Sequence, residues 1–137
     1  KMDRDAMTQR ICRAIENKWT TILGHPTGRL LLLREPYGLD MNAVIECAAR
    51  HGTALEINAN PHRLDLDWRH VRAAAAKGCL FMIGPDAHEI EGLDDMRFGI
   101  GVARKGGLEP RQVVNTWPKE KLLSWLRDRR TAAENAK

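Results

Sequence analysis

Five side chains able to hold a metal ion or a phosphate follow directly on short apolar runs. They are His25 after residues 19–23, Asn58 and Asn60 after 54–57, and Asp86 and His88 after 79–83. Asp86-Ala87-His88 offers a hard carboxylate oxygen and an imidazole nitrogen two residues apart, so one short loop can serve one ion or two adjacent ones. Taken singly, each signal has an ordinary structural counterpart: Asp86 can be a helix N-cap, and His25 before Pro26 is a common turn. Repetition at three successive strand ends favours a site. Within the second run, alternation sends Leu55 and Ile57 to one side and Glu56 and Asn58 to the other, and a carboxylate inside a strand marks a polar site rather than plain core. Arg29 and Arg63 lie just downstream of two of these ends, where guanidinium forks can take a phosphate or form ion pairs. His51, His62 and His70 read as surface residues.

The elements that must position these groups follow from periodicity. Apolar residues at Met7, Ile11, Ala14 and Ile15 predict a helix over 4–17, and Trp19 to Leu23 predicts a short buried strand closed by Gly24. Asp40 is the predicted N-cap of a helix carrying Met41, Val44, Ile45, Ala48 and Ala49, with Gly52 as its C-cap. Residues 54–57 form the next strand. Asp67 caps a helix bearing Trp68, Val71, Ala74 and Ala75 that stops at Gly78, and 79–83 is the third strand. One helix between each pair of strands is the rhythm of right-handed βα units, so the class is α/β with about three parallel strands and flanking helices. In such folds the C-terminal strand ends open onto a common mouth, which is why their polar residues matter. Beyond residue 92 only helices and loops are predicted, including an amphipathic segment with Leu122, Leu123, Trp125 and Leu126 started by Pro118.

At 137 residues the chain fits one packed domain. No apolar run approaches the roughly 18 residues of a membrane span, and the first residues lack a signal-peptide layout. Cys12, Cys47 and Cys79 form an odd set without close pairing, which argues against a disulfide framework and a cysteine zinc site. The expectation is a soluble, cytoplasmic protein without membrane contact. The net charge of +4 is uneven: residues 104–130 carry +5 and the remainder −1. That basic stretch is either a contact for a polyanion such as DNA or a solvated helix face.

Gly24-His25-Pro26-Thr27-Gly28-Arg29, the run from Glu56 to Leu66, Asp86-Ala87-His88, and Gly99-Ile100-Gly101-Val102-Ala103-Arg104 with Asn115-Thr116 resemble, in order, the later motifs of the polymerase and histidinol phosphatase (PHP) domain family. The likeness is to the PHP domain attached to bacterial family X DNA polymerases, over about residues 5–117, with 118–137 as a C-terminal helix and tail. The resemblance implies part of a distorted (β/α)7 barrel binding up to three divalent ions (Mn, Zn or Fe). It implies hydrolysis of a phosphodiester or phosphomonoester, often as a 3′–5′ exonuclease acting in DNA repair. It makes His25, Asp86 and His88 metal ligands, and Arg29, Glu56, Asn58 and Arg63 outer-sphere or substrate contacts. The family's earlier histidines and bridging glutamate, and the polymerase core, are not in this sequence. The chain therefore reads as the C-terminal part of such a domain, expected to bind metal weakly and to be nearly inactive alone. It is also expected to self-associate or to pair with the missing N-terminal half. Two other readings are a free-standing phosphatase of the histidinol-phosphatase type and a non-catalytic module binding DNA or a partner through 104–130.

Overall fold

The computed structural model describes residues 2–135. Helix α1 (Arg4–Glu16) starts at Asp3, whose carboxylate accepts the Ala6 N–H. Strand β1 is only Ile22–Leu23. Helix α2 (Met41–His51) begins at Asp40, which accepts the Asn42 and Ala43 N–H groups, and ends at Gly52 in the left-handed region, both as the cap residues predict. Strand β2 (Ala54–Asn58), helix α3 (Trp68–Ala76, capped by Asp67) and strand β3 (Phe81–Gly84) complete the alternation. A 3-10 turn over Ile90–Asp95 leads into helix α4 (Met96–Lys105), and helix α5 (Lys119–Asn135) closes the chain after two further 3-10 turns.

The strands form one parallel sheet in the order β1-β2-β3, with Leu55 beside Leu23 and Phe81. The predicted α/β class and strand count hold, and among the described residues the sheet is open. β2 is the central strand and is buried along its whole length. Around it pack Ile15, Val44, Ile45, Ala48, Leu66, Val71, Phe81 and Ala103, apolar surface whose removal from water stabilises the fold by roughly 25 cal/mol per Å². α4 approaches this layer through Gly99, where a Cβ would lie 2.6 Å from Ile83 and 2.7 Å from Ala59.

Two expectations are corrected. The first strand was predicted over 19–23 with Trp19 in the core; instead Trp19 is 61% exposed and the ladder starts at Ile22. The aromatic and β-branched signal at 19–21 is local, whereas pairing begins only where the chain meets β2. Ala14, predicted on the buried face of α1, is exposed, and Ile15 alone in that helix is fully buried. The outer edge of β3 is also covered: Val113 bridges Phe81, and the Asn115 side chain accepts from the Ile83 N–H and donates to the Ile83 carbonyl. An amide so placed satisfies an edge strand as a neighbouring strand would.

Candidate functional site

The C-terminal end of β2 is the floor of the candidate site. Glu56 and Asn58 project from the same side of the strand, and both are almost wholly buried, with Glu56 9% exposed. Glu56 Oε2 accepts the His25 main-chain N–H at 2.5 Å and the Asn58 amide at 3.4 Å. Room for the carboxylate comes from glycines at the neighbouring strand ends: a Cβ on Gly84 would lie 2.9 Å from Oε1, and one on Gly24 3.5 Å from Oε2. Burial pushes the Glu56 carboxyl above its ordinary value and Asp86 adds to the push, while His25 and Asn58 oppose it.

Asp86 stands two residues past the end of β3, after Pro85. Its φ of 55° and its distance from the next helical turn, which starts at Ile90, remove the helix-cap reading. Its Oδ2 accepts from Arg63 Nε at 3.0 Å in a half-buried ion pair. Burial pushes Asp86 up, but the Asn58 amide, the Arg63 guanidinium and His88 outweigh it and hold the carboxyl below its usual range. His88 is exposed, and its Nδ1 lies 2.7 Å from the Asp86 carbonyl. A carbonyl can only accept, so Nδ1 is the donor in this bond and Nε2 is the ring nitrogen outside it, a main-chain tether of the kind that orients ligating histidines. His25 is exposed at φ 28°, and Leu64 sits at φ 44°. Of the four non-glycine residues with positive φ, Leu32 being the other, these three stand close to strand ends and mark stored strain of the sort that gathers at functional sites.

The loops are held by Asp65, to which the sequence assigned no role, and by Arg29. Asp65, fully buried, accepts the Thr27 and Gly28 N–H groups at 3.0 and 2.9 Å, tying the loop after β1 to the loop after β2. Burial pushes its carboxyl up against the opposing pull of Thr27, Arg29 and Gly28. Its one sequence signal is a carboxylate between Leu64 and Leu66. Arg29 joins the same two loops: it donates to the carbonyls of Arg63 (2.8 Å) and Leu64 and lies 3.7 Å from Asp67. Arg29 is thus occupied with main-chain carbonyls, and Arg63 with Asp86. His51 and His62 are exposed as expected, and His70 is half-buried.

The donor types at this mouth, carboxylate oxygens with imidazole nitrogens, suit a divalent cation. Their convergence is partial. Among the described residues His25, Asp86 and His88 do not bring three donor atoms within 4.8 Å of one another; the group that does so is Glu16, Cys47 and His51. Also among the described residues, no helix is long and apolar enough to cross a membrane.

No family model matches the chain. It is 47% identical over 107 residues, 78% of its length, to the DNA polymerase/3'-5' exonuclease PolX of Bacillus subtilis, 19% of which the match covers. It is 27% identical over 140 residues to a probable phosphatase of Edwardsiella ictaluri and 29% identical over 138 residues to one of Vibrio atlanticus, in each case over 93% of this chain and 52% of the relative. The chain thus spans about a fifth of the polymerase/exonuclease and about half of each phosphatase.

Proposed function

We propose that this chain is the C-terminal part of a PHP-type phosphoesterase domain of the kind attached to family X DNA polymerases, with a 3′–5′ exonuclease-like activity. The observation that carries the reading is the grouping of Glu56, Asn58, His25, Arg63 and Asp86 at one mouth of a parallel sheet, in a chain similar both to a polymerase/exonuclease and to phosphatases. His25, Asp86 and His88 are the residues that would hold a divalent cation, with further ligands coming from the part of the domain outside this sequence. When bound, such an ion supplies hydroxide near neutral pH and neutralises charge on the attacked phosphate.

The chain's own residues have distinct tasks. His88, with Nδ1–H on the Asp86 carbonyl, holds Nε2 ready to bind. Glu56 fixes the main chain at His25 and so aims that side chain. Arg63 holds Asp86 through Nε, and its guanidinium fork, standing beside that carboxylate, would take a phosphate if Asp86 were to hold a cation. With its ligand set incomplete, the chain by itself binds metal weakly and turns over little, and its substrate is DNA or another phosphoester met through the whole protein.

The test is Mn²⁺-dependent hydrolysis by the full-length protein, wild type against Asp86→Asn and His88→Ala, with metal content and melting temperature measured on each. Both variants should stay folded and lose activity, and a fully active Asp86→Asn would reject the assignment. The match to two phosphatases across 93% of the chain favours a second reading, a phosphomonoesterase. Release of mononucleotides from a DNA 3′ end supports the first reading, and cleavage of small phosphomonoesters alone supports the second.

A further inference from the structure

The opposite end of the sheet holds a donor cluster that the strand-end site does not use. Cys47 and His51 are four residues apart on α2, and Glu16 is the last residue of α1, so each helix presents its donors on the face meeting the other. One carboxylate oxygen of Glu16, the Cys47 sulfur and one His51 ring nitrogen all lie within 4.8 Å of one another. A tetrahedral zinc site with bonds of about 2.0–2.3 Å places its donors roughly 3.5 Å apart. Glu16 and His51 are both exposed and so have room to move toward Cys47, which sits in the core at 4% exposure. We propose that Glu16, Cys47 and His51 form a thiolate-containing site for a Zn²⁺-class cation that clamps the C-terminal ends of α1 and α2 together.

Three further observations support it. The donor set of soft sulfur, imidazole and carboxylate is one that zinc accepts and that Mg²⁺ or Ca²⁺ does not favour. Glu16 and His51 line a groove of about 1000 Å³ between these helix ends and α5, so two of the three donors are open to solvent. The two helices already meet at the thiol, because the Cys12 carbonyl, one turn before Glu16, accepts from Cys47 Sγ at 3.7 Å. Without metal the Cys47 thiol is pushed up to about 11, chiefly by burial, and stays protonated and inert; coordination would displace that proton. Because no residue is shared with the strand ends, this site stands or falls independently of the phosphoesterase reading.

Cobalt(II) is the probe, since only a site with cysteine gives the intense near-ultraviolet thiolate-to-cobalt band and the strand-end set contains none. In reductant, Co²⁺ should produce that band, with the visible bands of a four-coordinate ion, at one equivalent in protein carrying His25→Ala, Asp86→Asn and His88→Ala, and Zn²⁺ should bleach it. Cys47→Ser should abolish the band. His51→Ala and Glu16→Gln, at exposed positions where folding is safe, should each weaken cobalt binding at least about tenfold, as even the loss of an outer-sphere partner does. Absence of the band would overturn the proposal. So would a band indifferent to His51→Ala and Glu16→Gln but lost in Cys12→Ser, which would report a lone thiol. A band that behaves as expected while Asp86→Asn keeps full hydrolytic activity would leave this site standing and remove the other.

Discussion

Replacing Glu56 by glutamine should make the protein more stable and less active, and the size of the gain follows from where the carboxylate sits. Glu56 is 9% exposed, and among the described residues no lysine or arginine forms an ion pair with it. Its hydrogen bonds come from the His25 N–H and the Asn58 amide, and a glutamine carbonyl can accept both. The substitution therefore removes a buried charge while keeping its partners. Because burial raises the folded-state pKa above the ordinary 4.5, the native state binds more protons than the unfolded chain once pH exceeds that value. Stability from this group is full below it and falls as pH rises through the folded pKa. Near pH ~4 the variant and wild type should be equally stable; at about pH 7.5 the variant should lead by ~1–2 kcal/mol, the desolvation penalty of an unpaired buried group. In melting temperature that is an increase of about 3–8 °C for a domain of this size. Urea unfolding at both pH values measures the gap, and hydrolysis by the intact protein should fall in parallel, the trade-off expected when a strained site is relaxed. A variant less stable than wild type at neutral pH, or a gap that ignores pH, would refute the reasoning.

Three other substitutions probe the frame around the site. Arg129 of α5 donates to the carbonyls of Thr20 (2.7 Å), His51 (2.9 Å) and Gly52, so Arg129→Met should cost ~2–3 kcal/mol in urea unfolding by leaving the end of α2 without donors. Asp65→Ala strips the acceptor from the Thr27 and Gly28 amides; it should cost ~2–4 kcal/mol, and hydrogen exchange should show both amides losing protection. Gly99→Ala forces a methyl against Ile83 and Ala59; lifting α4 should cost ~1–3 kcal/mol in thermal unfolding, with little change if the helix is free to shift.

Much of the architecture was legible because its signals are local. Asp40 and Asp67 cap their helices through N–H groups two or three residues away, Gly52 ends α2 by its own φ, and the alternation of strands with helices sets a parallel sheet. The same locality placed His25, Asn58, Asp86 and His88 at strand ends and Glu56 inside one, since a residue's position in or after a strand is a property of the sequence. Which groups then meet was decided by tertiary structure. Arg63 reaches Asp86 across 23 positions, Asp65 reaches Gly28 across 37, and Cys47 comes to Cys12 across 35. Arg29 looked equally suited to a phosphate and to an ion pair, and only the approach of the loop after β2 set carbonyls against its guanidinium. A hydrogen bond between distant segments depends on how helices and strands pack to within a few tenths of an ångström, and residue type and spacing carry no record of that.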